Sequence, residues 1–226
     1  MDQGVLFEMV QKAPLRRGRP RLYDPDVALG SAIDVFWQLG YSRASLDDLC
    51  SAMNMNRPSL YAAFGDKHEL FIKALGRYQE TVRARFRTTL APDRPLLPSL
   101  RQYFAGILDR FFSGESGARG CFMMSVATLE AAQDPAIRAV VAEGMRALDA
   151  GFEARFRHAQ RQGELARSAD PAALARLASG LVHTLAVRAR AGEARAALEG
   201  VIDAFLAVLE VKAPAAKRQA FGERDR

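Results

Sequence analysis

Apolar residues recur at helical spacing along most of this chain of 226 residues. Over residues 25–39 they stand at every third or fourth position, and polar residues such as Asp34 fall between them, as in an amphipathic helix. Asp24 followed by Pro25 supplies an N-cap and a first-turn proline, and Gly40 supplies a stop. Further helices are predicted over about residues 99–112, 120–132, 135–162, 171–190 and 195–210. No segment alternates like a strand, so the pattern predicts an all-α fold.

Two short helices separated by a tight turn are predicted after the first helix. The segment from Ser45 to Asp48 fits a capping box, with Asp48 in place of the usual Glu. Asn54 suits the left-handed conformation that closes a helix. Asn56 then caps a helix predicted over Arg57–Phe64. Together with the first helix, these elements form a three-helix unit that contains a helix-turn-helix.

A longer helix is predicted from Lys67 to about Thr88, and Pro92, Pro95 and Pro98 mark a linker after it. The remaining segments are rich in alanine and form a C-terminal helical domain. The predicted organisation is a flexible basic arm at 1–23, a helix-turn-helix domain at 24–72, a helical ligand-binding and dimerisation domain at 73–211 and a loose basic tail at 212–226.

The net charge of +6 permits nucleic acid or an anionic membrane as a partner but demands neither. Its distribution is more informative than its size. Residues 12–22 contain five basic residues and no acid, whereas residues 23–67 contain three basic and six acidic residues. General attraction to DNA is therefore expected from the arm and from individually placed groups, and not from the helix-turn-helix as a whole.

The arm carries a pattern of its own. Arg17, Arg19 and Arg21 alternate with Gly18 and Pro20, a run that resembles the core of an AT-hook. In such a segment, extended arginine side chains lie in a narrow A·T-rich minor groove. The alternative is a solubilising tail that does not touch DNA.

Several classes of function are disfavoured by composition. Two cysteines, Cys50 and Cys121, cannot build a disulfide framework or a four-ligand zinc site, and the three histidines show no ligand spacing. No catalytic residues, metal or cofactor are predicted, because the sequence holds no nucleophile–base pair and no phosphate-cradling glycine loop. No apolar run is long enough for a signal peptide or a membrane span, so we expect a cytoplasmic protein that is not an enzyme.

The predicted third helix suits the major groove of DNA. Leu60 and Phe64, four residues apart, should face the core, which leaves Arg57, Ser59 and Tyr61 free to face the groove. Lys67 opens the next helix, where the helix dipole disfavours a cation unless an anion such as a phosphate neutralises it.

The residues from Ser45 to Leu49, together with Asn56 to Leu70, resemble the DNA-binding domain of the TetR family of bacterial transcriptional regulators. The most specific part is the core Leu-Tyr-x-x-Phe-x-x-Lys-x-x-Leu, which begins at Leu60. The likeness covers about residues 24–72. One departure is Asn54, which stands where the family usually has Gly.

The resemblance implies a homodimer that binds a palindromic operator on double-stranded DNA. Family members mostly repress, and a small-molecule inducer in the C-terminal domain releases them. By position, Tyr61 and Lys67 match phosphate contacts, and Ser45 matches the cap of the second helix, which often touches phosphate. Arg57, Pro58 and Ser59 match positions that touch bases or backbone.

A cavity for the inducer is expected within the C-terminal domain, although aromatic and Met residues at helical spacing are more often core. The candidate ligand-binding residues are Phe104, Leu108, Phe111, Cys121, Phe122, Met124, Met145, Phe152 and His183. Some regulators of this family respond to oxidants or electrophiles through a cysteine in this domain. Cys121 is the candidate for such a role, against a simple buried thiol.

The last two helices are the expected dimer surface, or they pack only within one protomer. One stripe comprises Leu174, Ala178, Leu181 and Leu185, and the other comprises Leu198, Val201, Ile202, Phe205 and Leu209. A rival function is that of an architectural DNA-binding protein without ligand control. Sequence-independent binding with a steep salt dependence would favour that rival.

Overall fold

The computed structural model describes residues 23–114 and 117–211 of the chain. Within these ranges it contains nine α-helices, one π-helical turn and no strand. The helices are α1 (Pro25–Leu39), α2 (Leu46–Ala52), α3 (Arg57–Phe64), α4 (Lys67–Thr89), α5 (Leu96–Phe111), α6 (Thr128–Ala131), α7 (Pro135–Arg161), α8 (Pro171–Arg190) and α9 (Arg195–Val211). The π-helical turn at Met123–Ala127 precedes α6. The all-α prediction is confirmed.

The caps of α2 and α3 follow the local sequence. The Ser45 hydroxyl accepts from the Asp48 backbone N–H at 3.1 Å, and the Asp48 carboxylate accepts from the Ser45 N–H at 2.9 Å, which completes the predicted capping box. Asn54 adopts the left-handed conformation with φ of +50°. Asn56 caps α3 by accepting from the Ser59 N–H at 2.9 Å. The helix-turn-helix prediction is therefore confirmed at each of its boundaries.

The structure differs from the sequence prediction after α4. Helix α5 begins at Leu96, so Pro98 lies in its first turn and not in a linker. Proline is tolerated there because the first backbone N–H groups of a helix have no partner within the helix. The segment predicted as one helix over 120–132 contains the π-helical turn, in which the backbone is wound more widely than in an α-helix.

Two apolar clusters form the core. The first is built by α5, the C-terminal half of α7, α8 and α9. The second unites α1 to α4 with residues 122–141 of the C-terminal half. Phe122 lies at the centre of this continuity, since its ring is 5.8 Å from those of Trp37 and Phe71 and 5.5 Å from that of Tyr78. The helix-turn-helix is thus packed directly on the segment that follows α5.

The two stripes that were expected to form the dimer surface mostly face the protomer's own core. Leu174, Leu185 and Leu198 are fully buried in it, and Val201 and Phe205 pack against it partly buried. A different face of the same helices remains exposed. On α8 it comprises Ala173, Leu177, Thr184 and Val187, and on α9 it comprises Ala197, Gly200, Ala204 and Val208. These residues recur at helical spacing, so each helix presents a second face of small and apolar side chains.

None of the helices in the described ranges combines the length and the apolar character that crossing a membrane would require.

Candidate DNA interface and ligand cavity

Helix α3 presents a polar face to solvent. Leu60 and Phe64 are buried beneath it, as predicted, while Arg57, Pro58 and Ser59 are exposed. The side chain of Tyr61 is also unusually open for a large ring, at 47% exposure. Leu60 and Phe64 anchor the helix, and its first turn and outer face stay free for a partner.

Arg57 is held by a carboxylate of the preceding helix. Its Nε and Nη2 atoms donate to the two carboxylate oxygens of Asp47 at 3.0 and 2.8 Å. Both side chains are more than half exposed, so this pair is screened by water and contributes little to stability. The guanidinium of Arg57 can therefore donate in the same way to a phosphate or to the edge of a guanine base in place of the carboxylate.

Lys67, at the first position of α4, lies on the surface next to the α1–α2 connection. Its Nζ is 4.7 Å from the centre of the Tyr41 ring and donates to the Ser42 carbonyl at 3.4 Å. Asp66 caps the same helix and accepts from the Glu69 N–H at 2.9 Å. The described residues give Lys67 no carboxylate partner within 4.0 Å, so its charge is available to an external anion.

Ser45 is exposed, but its hydroxyl is already engaged. Besides accepting from the Asp48 N–H, the hydroxyl donates to the Asp48 carboxylate at 2.6 Å. This bond and that from the Ser45 N–H hold the pKa of Asp48 below its ordinary value. A phosphate contact by the Ser45 hydroxyl would have to replace the bond to Asp48. The arm residues Arg17, Arg19 and Arg21 lie outside the described residues.

A cavity of about 300 Å³ lies between α4, α5, α7, α8 and the segment 121–124. This volume is at the lower end of those of small-molecule sites. Among the predicted ligand-binding residues, those that line the cavity are Phe111, Cys121, Met124, Met145 and His183. The wall is mainly apolar, as expected for a site that removes the body of a small molecule from water.

Four predicted ligand-binding residues do not line this cavity. Phe104, Leu108, Phe122 and Phe152 are fully buried core side chains. Phe104 and Phe152 stack with ring centres 6.2 Å apart, and Phe122 packs towards the helix-turn-helix. Helical spacing selected these positions correctly as buried, but it cannot distinguish a core position from a cavity wall.

The polar lining of the cavity was mostly missed from sequence. It comprises Tyr78, Gln79, Arg83, Arg85, Arg87, Tyr103 and Arg110. Gln79 is almost completely buried and donates through Nε2 to the Val140 carbonyl at 2.8 Å. An apolar-residue pattern does not select such groups, and the only sequence signal was the unusual density of arginine along α4.

Tyr78 and Cys121 meet at the cavity wall, where the phenol oxygen is 3.4 Å from the Cys121 sulfur. Burial raises the pKa of Tyr78 well above its ordinary value, so the phenol stays protonated. His183 also lines the cavity, and burial lowers the pKa of its imidazole, which therefore stays mostly neutral at pH 7.

Arg119 connects the cavity wall to the helix-turn-helix. Its guanidinium stacks 4.0 Å above the Trp37 ring and pairs with Asp34 at 2.8 Å, both on α1. The Trp37 indole N–H in turn donates to the Arg119 carbonyl at 3.0 Å. Only Gly120 separates Arg119 from Cys121 in the cavity wall. A change at the wall therefore has a short path to α1.

A second contact joins the two halves near the start of α4. The His68 imidazole lies 2.6 Å from the Asp134 carboxylate, which also caps α7. The Ile137 backbone N–H, ahead of His68 itself, holds the pKa of Asp134 below its ordinary value. Helix α4 thus begins against α7 and continues along the cavity, so one helix carries both its first turn and part of the cavity lining.

The exposed α3 face, the cation at the start of α4 and the adjoining cavity define a DNA-binding regulator of the helix-turn-helix class. Residues 28–74 match the family described as "Bacterial regulatory proteins, tetR family". Residues 97–205 match "Tetracyclin repressor-like, C-terminal domain".

Individual proteins agree with this assignment. The HTH-type transcriptional repressor ComR of Escherichia coli is 31% identical over 78% of this chain and 84% of its own. The HTH-type regulator YezE of Bacillus subtilis is 28% identical over 85% of this chain and 100% of its own. A cysteine-substituted form of the TetR-family regulator CifR, solved with a 26-base-pair operator duplex, superposes with a TM-score of 0.74. It is 32% identical, over 83% of this chain and 98% of that one. The chain belongs to the TetR family and is a DNA-binding transcriptional regulator.

Proposed function

We propose that the protein represses transcription by binding a palindromic operator as a homodimer and that a small molecule in the cavity releases it. The observation that carries this proposal is that one helix, α4, serves both sites. It begins at Lys67 beside the exposed α3 face, and its residues from Tyr78 to Arg87 line the cavity. The similarity to ComR, itself named a repressor, supports repression.

The DNA-contacting residues follow from exposure and chemistry. Arg57 reaches base edges or phosphate after it leaves Asp47, while Pro58 and Ser59 bring the first turn of α3 against the groove. The Tyr61 hydroxyl and the Lys67 ammonium contact phosphate, which sets the position of α3 on the duplex. Ser45 adds a phosphate contact from the start of α2.

The second faces of α8 and α9 form the dimer interface. Leu177, Val187 and Val208 are each at least half exposed in the single chain. Small neighbours such as Gly200 and Ala204 let helices of two protomers approach closely. Burial of these side chains in a four-helix contact accounts for apolar exposure that a monomer does not need.

Release requires that the ligand binds more tightly to a state whose two α3 helices are wrongly spaced for the operator. Half-sites one helical turn apart require the two α3 helices to lie about 34–36 Å apart. A swing of α4 about its contacts with α7 would change this spacing. The path through Arg119 and Trp37 links the same movement to α1.

A second candidate is control by oxidants or electrophiles through Cys121. The observation that favours it is the position of the Cys121 sulfur, in the cavity wall and 3.4 Å from the Tyr78 hydroxyl. Under this reading, Cys121→Ser should abolish release by an alkylating agent such as N-ethylmaleimide while leaving operator binding intact. Equal release of Cys121→Ser and the unchanged protein would exclude the candidate.

The main proposal is tested by selecting sequences from a random duplex library and footprinting the enriched site. We expect a palindrome whose two half-sites are protected together, and we expect Arg57→Ala to weaken binding and relax the base preference. Arg157→Ala is the matched control, because it removes an exposed arginine far along α7. Binding without sequence preference, with a steep salt dependence, would replace the proposal by the architectural alternative.

A further inference from the structure

The charge of the cavity is strongly one-sided. Four arginines line it, at positions 83, 85 and 87 of α4 and 110 of α5, and its lining within the described ranges includes no Asp or Glu. None of these arginines has a carboxylate of the described residues within 4.0 Å, whereas ten other ion pairs are formed elsewhere. Arg83 and Arg110 are half-buried and Arg85 and Arg87 are exposed, so water screens part of the repulsion between these like charges. A bound anion would offset the rest of that repulsion.

Two of the arginines, from different helices, line the same side of the cavity around Tyr103. Gly106 and Arg110 are four residues apart, so they share a face of α5. The guanidinium of Arg85 reaches across from α4 and lies against Gly106, where a methyl group on residue 106 would clash with Nη2 of Arg85. The glycine therefore leaves the space that the Arg85 head occupies, one turn of α5 before Arg110.

Hydroxyl donors stand beside the two guanidinium groups. Burial raises the pKa of Tyr103 well above its ordinary value, and the nearby charges of Arg110 and Arg85 oppose that rise only in part. The Arg110 guanidinium is also 5.9 Å from the centre of the Tyr78 ring. Both phenols stay protonated, so this side of the cavity offers two hydroxyl groups that can donate, together with positive charge. These are the groups that recognise a carboxylate.

The rest of the wall is suited to a hydrocarbon body. Phe86, Phe111, Met124, Met145 and Leu148 contribute apolar surface, and the side chains of Met adapt readily to ligand shape. His183 adds little charge at neutral pH because burial lowers the pKa of its imidazole. The positive charge of the site therefore comes from the arginines.

We infer that the cavity binds a small organic acid with an apolar body, whose carboxylate lies between Arg85 and Arg110 beside the hydroxyl of Tyr103. This inference rests on the proposed control of operator binding by a ligand in the same cavity, and it specifies the chemical class of that ligand. The helix dipole is enough to explain why Arg110 lies near the end of α5. It does not explain why the side chain of Arg85 extends from α4 to Gly106.

The test compares matched head groups on the DNA-free protein by isothermal titration calorimetry. The probes are decanoate with decanamide and decylamine, and 2-naphthylacetate with 2-naphthylacetamide. We expect each acid to bind at least about tenfold more tightly than its amide, since a charge-assisted hydrogen bond is stronger than one between neutral groups. Decylamine should bind more weakly than the amide. If no acid binds more tightly than its amide, the inference is overturned.

Two variants identify the groups responsible. Arg110→Met should remove most of the preference for acid over amide while leaving amide affinity within about twofold, because the apolar wall is retained. Gly106→Ala keeps every charge and improves the helix propensity of α5, but its methyl group displaces the Arg85 head. It should reduce acid affinity without loss of folding. Equal losses for acid and amide in both variants would overturn the inference.

The control is Arg157→Met, which removes an exposed arginine outside the cavity and should leave both affinities unchanged. Operator affinity without ligand is measured separately by fluorescence anisotropy. Loss of sequence-specific operator binding would contradict the proposed function, and loss of the acid preference would contradict only the ligand class, so the two can fail independently.

Discussion

Lys67→Met separates folding from DNA binding at the start of α4. A cation at the first position of a helix is disfavoured by the helix dipole, by about 0.3–1 kcal/mol. Its stacking over Tyr41, with Nζ 4.7 Å from the ring centre, contributes about 0.5–1 kcal/mol in the opposite direction. The two contributions offset each other, so the free energy of unfolding should change little. Methionine keeps most of the apolar stem against the ring.

The effect on DNA binding should be large and dependent on salt. Each phosphate neutralised contributes about 0.9 to the slope of log affinity against log salt concentration, so a dimer that loses two contacts should lose about 1.8. Between about 50 and 200 mM salt, the unchanged protein should therefore lose about twelvefold more affinity than the variant does. The measurement is fluorescence anisotropy with the selected operator duplex over a salt series.

Arg157→Met is the matched control, because it removes one positive charge about 34 Å along α7 from the contact between His68 and Asp134. Its salt slope should equal that of the unchanged protein. If Lys67→Met keeps the original slope, Lys67 does not contact phosphate. If the control loses slope to the same extent, the effect reflects net charge and not a placed group.

Two further predictions concern the turn and the connection to the cavity. Asn54→Ala should lower the free energy of unfolding by about 1 kcal/mol, because alanine carries the full penalty of the left-handed conformation, while Asn54→Gly should stay within about 0.5 kcal/mol of the unchanged protein. Fluorescence of Trp37, the single tryptophan, reports the denaturant transition, and equal effects of the two substitutions would contradict the role of φ. Arg119→Met removes the pair with Asp34 and the stacking on Trp37, so ligand-induced release of operator should weaken although ligand-free affinity stays within about threefold. An unchanged response to ligand would show that coupling does not pass through Arg119.

The helix-turn-helix could be predicted closely from sequence because its boundaries are set by local chemistry. Ser45 and Asn56 accept hydrogen bonds from backbone N–H groups three residues further on, and Asn54 ends α2 in a left-handed conformation. These local interactions do not depend on tertiary contacts. The start of α5 was misjudged for a related reason. Pro98 signals a break within a helix but is compatible with a first turn, and only the burial of Leu96 shows which applies.

The cavity could be predicted only in part. Met124, Met145 and His183 were predicted to line the cavity, and they do. Phe104 and Phe152 were predicted on the same grounds, but they fill the core. Whether a buried side chain faces a void depends on how helices distant in sequence approach each other. The arginines of the lining were missed because a charge on an amphipathic helix is normally assigned to solvent.

The pairing of Arg57 with Asp47 has a consequence for how the protein moves through a genome. A duplex that lacks the operator sequence offers Arg57 only a phosphate in exchange for the carboxylate it already holds at 2.8 Å. Residues 23–67, with six acidic and three basic residues, gain little from the general field of DNA. Because chromosomal sites without the operator outnumber the operator by about 10⁶-fold or more, weak attachment to them keeps a larger fraction of the protein free. The acidic helix-turn-helix thus lowers the share of the protein held on other sequences, against the general attraction expected from the basic arm.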